Sequence, residues 1–197
     1  DASQLELRML AHYMNDEDYI NEIINGDIHT ANQKLAGLES RSQAKTFIYA
    51  LVYGAGNAKL GSVAGGGKQV GTKLRKQFID NLPSFKALTD RVERASGKGY
   101  LKGLDGRKLY VRTRHAALNT LLQGAGAIVM KQGLMLFDKM IKESNLDASF
   151  VCNVHDEWQV EVPEGQAERV GKMGVKALQE VQRTLTLNCP LDGDYNV

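Results

Sequence analysis

Proline and cysteine are scarce in this sequence, and it has no long hydrophobic run. Three prolines, Pro83, Pro163 and Pro190, occur in 197 residues. There is no Pro-rich linker, and each proline falls near an expected element boundary. The two cysteines, Cys152 and Cys189, form neither a CxxC pair nor a zinc pattern, so they read as reduced core thiols. No segment approaches the ~18 consecutive apolar residues of a membrane span, so no membrane partner is expected. Asp1-Ala2-Ser3-Gln4 has no basic or apolar leader character, and no signal peptide is expected. An excess of either charge is missing too: 25 Lys plus Arg against 23 Asp plus Glu leaves +2. That balance excludes a histone-like or arm-like nucleic-acid binder, though not a local basic face. What remains, 43% hydrophobic and 24% charged, is the composition of a globular protein of one large or two small domains.

Hydrophobic periodicity predicts helices over 3–15, 41–54, 68–81, 84–96, about 115–143 and about 165–183. Asn25-Gly26-Asp27 is a turn signal, and Gly65-Gly66-Gly67 reads as a flexible joint. Hairpins are expected at 100–112, around Asp105-Gly106, and at 149–162, around His155-Asp156. A short strand is expected at 185–189. The fold class is α+β, with helices, a small antiparallel sheet and a helix-rich insertion in the first half.

Three segments carry chemical signals. On the helix at 41–54, Arg41, Lys45, Tyr49 and Tyr53 recur every four residues, so they sweep roughly 120° of one face at ~100° per residue. Ala44, Phe47, Ile48, Leu51 and Val52 fill the neighbouring arc and suit a core. Two cations followed by two aromatics match a ligand with phosphates at one end and a flat base at the other. An ordinary amphipathic helix with tyrosines along its edge has the same pattern. In Val154-His155-Asp156-Glu157-Trp158, the flanking alternation places Asp156 and Glu157 at a hairpin tip. A tight turn there would present carboxylates to a hard cation such as Mg²⁺, although acids favour turns in any case. Asp1, ahead of an amphipathic helix, reads alone as an N-cap. Basic residues cluster at 91–115 and 59–76, where they could follow a phosphate backbone or form a solvated face. Gly65-Gly66-Gly67-Lys68 lacks the spacing and the Ser/Thr of a Walker loop. His12, His29, His115 and His155 lack metal-ligand spacing.

In order along the chain, these segments resemble family A DNA polymerases, the DNA polymerase I family, and most of all its phage replicase branch. Asp1-Ala2-Ser3-Gln4-Leu5-Glu6-Leu7-Arg8 resembles motif A. Arg41-x-x-x-Lys45-x-x-x-Tyr49-x-x-x-Tyr53-Gly54 resembles motif B, and His155-Asp156-Glu157 resembles motif C. Leu104-Asp105-Gly106-Arg107 and Asn119-Thr120-Leu121-Leu122-Gln123 resemble the segments ahead of and on the long palm helix. The resemblance implies palm at 1–24, fingers at 25–98 and palm again at 99–197. It implies template-directed transfer of nucleotides from dNTPs to a primer 3′-hydroxyl on two Mg²⁺ ions, in the cytoplasm of a bacterial cell or phage-infected host. Asp1, Asp156 and the Ala2 carbonyl would hold the ions, with Glu157 a supporting carboxylate. Arg41, Lys45 and His29 would contact the phosphates, Lys45 either as proton donor to pyrophosphate or as a fixed charge. Gln4 would lie near the nucleotide, Glu6 would exclude a ribose 2′-hydroxyl, and Tyr53 would stack at the insertion site. Tyr49 is the variant tolerant of dideoxy terminators. Asn119 and Gln123, one turn apart, would contact the minor groove, and His155 would help position the primer terminus.

The chain departs from the family pattern in four ways, one of them a segment, 91–102, shorter than in some phage relatives. It begins at the motif A aspartate, so the thumb and any exonuclease are expected to be absent, and it ends earlier than relatives do. His115 stands where many relatives have Arg. These departures suggest a fragment or one half of a split polymerase, weak by itself, with the N-terminal portion as a partner. An α-ammonium at Asp1 would disfavour metal binding there. The alternative function is a non-catalytic DNA-binding piece that needs another chain for chemistry.

Overall fold

The structure, a computed structural model, covers residues 1–197. It contains nine α-helices and two separate two-stranded antiparallel sheets. The helices are α1 Leu5–Met14, α2 Glu17–Ile24, α3 Ile28–Ala36, α4 Arg41–Val52, α5 Asn57–Val63, α6 Lys68–Asn81, α7 Pro83–Ser96, α8 Ala117–Glu143 and α9 Ala167–Leu185. One hairpin pairs β1 Tyr100–Lys102 with β2 Lys108–Tyr110, and the other pairs β3 Ser149–Val154 with β4 Glu157–Glu161. The chain divides into a first unit of residues 1–12, 103–107 and 122–197, and a second of 13–102 and 108–121.

In the first unit, Phe137, Ile141, Val170 and Ala177 of α8 and α9 form a buried cluster against which Phe150, Trp158 and Val160 of the hairpin pack. The Phe137 and Phe150 rings meet edge to face at 5.2 Å, a geometry favoured by the ring quadrupoles. A bulge between Phe150 and Cys152 shifts the register of β3. Simple alternation would keep Cys152 on the core face, but the bulge leaves it and Val154 exposed. Only Cys189 is a core thiol, and burial raises its pKa to about 11.

Residues 185–189 form no strand: α9 runs on to Leu185 and closes on Thr186 in the left-handed region (φ 52°). The segment that pairs is further on. Ala2 bridges Gly193 in antiparallel fashion, and the Ser3 N–H donates to the Asp192 carbonyl at 3.0 Å. A Cβ on Gly193 would lie 2.6 Å from the Asp1 carbonyl oxygen, so this close approach requires glycine.

In the second unit, Phe47, Phe78 and Phe85 stack edge to face in sequence, at 5.8 and 5.3 Å, inside a core that includes Ile48, Leu60 and Leu88. Three short helices, α2, α3 and α5, occupy segments where periodicity predicts none. Asp16 and Asp27 N-cap the first two by accepting from the Tyr19 and His29 N–H groups. Pro83 is the first residue of α7, where its missing N–H costs nothing. The three glycines at 65–67 turn α5 into α6, with Gly65 at φ +69° and Gly67 as the N-cap of α6. The two helices touch through glycine: a Cβ on Gly71 would sit 1.8 Å from the Asn57 carbonyl oxygen. Gly71→Ala is therefore expected to push α5 and α6 apart and cost ~1–3 kcal/mol. Thermal unfolding reads this, and an unchanged midpoint would contradict the close packing.

Candidate active site

In the first unit, the peptide after Asp1 lies against the hairpin tip. The Ala2 N–H donates to the Asp156 carbonyl at 2.8 Å. On its other side, the Asp1 nitrogen donates to the Asp194 carbonyl at 3.1 Å, and the Asp194 N–H returns a bond to the Asp1 carbonyl at 3.0 Å. Residues 1–3 thus run between the tip and the 192–194 segment. Ser3 Oγ adds a bond to Asp194 Oδ2 at 3.0 Å. The buried Arg8 reaches back from α1 to donate through Nε to the Ser3 carbonyl at 2.8 Å. Asp1 is exposed and Asp156 half-buried.

Two backbone features shape this corner. Gln4 and His155 both have positive φ, 55° and 51°, in a region costly for residues with a Cβ. His155 and Asp156 form the two-residue loop, and Glu157 is the first residue of β4, paired with Val154. Glu157 is thus on a strand rather than at the tip, and its Oε1 accepts from Gln159 Nε2 at 2.9 Å. Asp1 is not a helix cap: α1 begins at Leu5, four residues on. Glu6 accepts from Gln123 Nε2 of α8 at 3.2 Å, which ties α1 to α8.

The second unit holds the cationic and aromatic set. Ser40 N-caps α4 by accepting from the Gln43 N–H at 3.2 Å, and Gln43 Oε1 accepts from the Glu39 N–H, a variant of the capping box. The helix then buries Ala44, Phe47, Ile48, Leu51 and Val52, as its periodicity predicts, and exposes Arg41 and Lys45. Tyr49 is half-buried, and Tyr53 is 52% exposed just past the helix end. Arg41 forks onto Asp27, Nε to Oδ2 at 2.5 Å and Nη2 to Oδ1 at 3.1 Å. These bonds hold the Asp27 carboxyl well below the usual range.

His29 is buried beside the Tyr49 ring, centroids 6.3 Å apart, and its Nδ1 has no hydrogen-bond partner. Burial first, then the positive charge of Arg41, lowers its pKa. Burial also lowers that of His12, whose Nδ1 accepts from the Asn188 N–H at 3.1 Å. Both histidines take up protons more readily in the unfolded chain. Stability is thus fully present above the unfolded value of ~6.5 and declines as pH falls from there towards their folded values. Urea midpoints should drop between pH 7.5 and 5.5, with a shallower drop in His29→Gln; a flat or rising midpoint would contradict this.

The basic stretches are partly committed. Arg75 is half-buried and donates to Asn57 Oδ1, and Arg107 pairs with Asp105 at 2.6 Å. Lys59, Lys68 and Lys73 are exposed.

The whole chain, residues 1–197, matches the family model described as DNA polymerase family A. The chain belongs to DNA polymerase family A. It is 41% identical over 207 residues to a DNA-directed DNA polymerase of Enterobacteria phage T3, covering 93% of this chain and 29% of that protein. A DNA-directed DNA polymerase of Escherichia phage Phieco32 is 38% identical, over 100% of this chain and 38% of its own length. Among solved structures, the POL domain of Pol1 from M. smegmatis, in complex with DNA primer-template and dNTP, superposes with a TM-score of 0.85 at 25% identity, covering 98% of this chain and 37% of that one. The chain therefore spans between a quarter and two fifths of the length of these family A relatives.

Asp1, Ala2, Gln4, Glu6, Gln123, His155, Asp156 and Glu157 belong to the first unit; His29, Arg41, Lys45, Tyr49, Tyr53 and Asn119 belong to the second. Sequence reasoning gave no role to Arg8, Asp27 or Asp194. Arg8 is in the quoted motif, but its burial depends on the carbonyls of Ser3 and Pro190. Asp194 is 193 residues from Asp1, and no local pattern signals such a contact.

Proposed function

We propose that this chain forms the palm (1–24 and 99–197) and fingers (25–98) of a template-directed DNA polymerase. It would join dNTPs to a primer 3′-hydroxyl in the cytoplasm of a bacterial or phage-infected cell. The observation that carries the reading is the 2.8 Å bond from Ala2 to the carbonyl of Asp156. It brings the motif A aspartate and the motif C aspartate to adjoining backbone positions although 155 residues separate them.

The donor set fits Mg²⁺. Asp1 and Asp156 supply carboxylates and Ala2 a carbonyl, all hard oxygen ligands. No three His, Cys, Asp or Glu side chains converge, so an ion here would take one or two carboxylates and complete its shell with substrate phosphates and water. When bound, two Mg²⁺ ions would activate the primer hydroxyl and offset charge on the triphosphate and the leaving pyrophosphate.

The remaining roles belong to the chain itself. Arg41, Lys45 and His29 bind the phosphates, Lys45 at the bond that breaks. The neutral state favoured for His29 makes it a hydrogen-bond donor rather than a fixed cation. Tyr53 stacks on the base pair, Tyr49 shapes the 3′ side of the sugar, and Gln4 is a secondary nucleotide contact. Glu6, steadied by Gln123, fills the space a 2′-hydroxyl needs. Asn119 and Gln123 read the minor groove, Glu157 supports the metal carboxylates, and His155 positions the primer end.

Primer extension with Mg²⁺ tests the proposal, using the chain alone and with the remaining portion of a phage relative added in trans. Template-dependent extension supports it. Salt-sensitive DNA binding without extension in either setting supports the second reading, a DNA-binding piece without chemistry of its own.

A further inference from the structure

Asp27 places a negative charge beside the residues that the proposed function assigns to phosphates. Its carboxylate accepts four bonds. Oδ1 takes the His29 N–H at 3.2 Å and Arg41 Nη2 at 3.1 Å, and Oδ2 takes Thr30 Oγ at 2.7 Å and Arg41 Nε at 2.5 Å. One carboxylate therefore caps α3, which carries His29, and holds the first residue of α4. A guanidinium has five N–H donors in a fixed fork. The fork onto Asp27 uses two and leaves three for a second anion, on a side chain that is 57% exposed. Beside it, the buried His29 ring keeps an unpartnered Nδ1.

We infer that Asp27 is a positioning residue for the incoming triphosphate, joining Arg41 and the first turn of α3 into one pre-set anion clamp. The inference rests on the reading of Arg41 and His29 as phosphate contacts. The clamp works by order rather than by net charge, since the Asp27–Arg41 pair is neutral. A long, exposed arginine otherwise loses side-chain entropy when it meets a phosphate, and here that ordering precedes binding. The repulsion between Asp27 and the phosphates is offset by the guanidinium between them and screened at physiological salt.

Asp27→Asn separates this role from a purely structural one. Asparagine caps a helix as well as aspartate does, so α3 should persist while the charge-assisted fork is lost. Asp27→Ser, a second cap-preserving change, guards against an effect peculiar to asparagine. The probe is dGTP, titrated into the full chain in 0.15 M salt and followed by amide chemical shifts, with thermal unfolding alongside. The expected result is a dissociation constant about tenfold higher in both variants, with the unfolding midpoint little changed. The Asp27→Asn/Arg41→Ala double variant should be no weaker than Arg41→Ala alone. Unchanged or tighter dGTP binding in Asp27→Asn, with Arg41→Ala weakened, would overturn this inference and leave the phosphate assignment standing. Unchanged binding in Arg41→Ala would overturn the assignment itself, and the inference with it.

Discussion

Alanine at position 156 is expected to reduce nucleotide addition by at least ~10²–10³-fold, the scale at which single groups stabilising developing charge act. Asp156 joins the fold at the hairpin tip through its carbonyl, which accepts from Ala2, and alanine keeps that carbonyl. The carboxylate is what the substitution removes, so the loss should fall on turnover, while the unfolding midpoint moves little. Asp156→Glu keeps the charge but moves it about one methylene outwards. It should also be severely impaired, because misplacement on the ångström scale is enough to cost ~10²-fold. Extension assays on the chain alone and with the remaining portion of a phage relative added, run beside thermal melts, read both variants. Wild-type extension by Asp156→Ala would remove this residue from the chemistry.

The second large effect is expected at Lys45. This residue is exposed on α4, one turn beyond Arg41 and on the arc beside its buried residues. Lys45→Ala should lower kcat by ~10²–10³-fold by withdrawing a positive charge from the phosphate being transferred. Lys45→Arg distinguishes the two roles left open for it. Arginine keeps the charge but does not give up a proton near neutral pH. Near-complete rescue by arginine identifies an electrostatic role; a loss close to that of alanine identifies a proton donor. If Lys45→Ala alters KM alone, Lys45 only binds substrate.

Much of this site was legible in the sequence. The buried and exposed arcs of α4 follow from spacing alone, because a 12-residue helix capped by Ser40 has room to express its period. The hairpin at His155-Asp156 was legible for the same reason, since turn residues stand between two runs of alternating apolar residues. Short elements were not. The helices α2, α3 and α5 have eight, nine and seven residues, too few for periodicity to emerge, and two of them depend on aspartate caps that look like turn residues. The bulge after Phe150 was also hidden, because one inserted residue reverses every later side chain. The Ala2–Gly193 bridge replaces the strand expected at 185–189, and it depends on tertiary packing rather than on any nearby pattern.

Terbium luminescence reads whether Asp1 and Asp156 share divalent ions. Trp158 is the chain's single tryptophan, two residues from Asp156 on β4, so it can sensitise a lanthanide bound at the hairpin tip. If the two aspartates share ions, Trp-sensitised Tb³⁺ emission appears, Mg²⁺ displaces it, and Asp1→Asn and Asp156→Asn each abolish it. Emission that survives both substitutions, or that only one of them removes, would contradict that sharing.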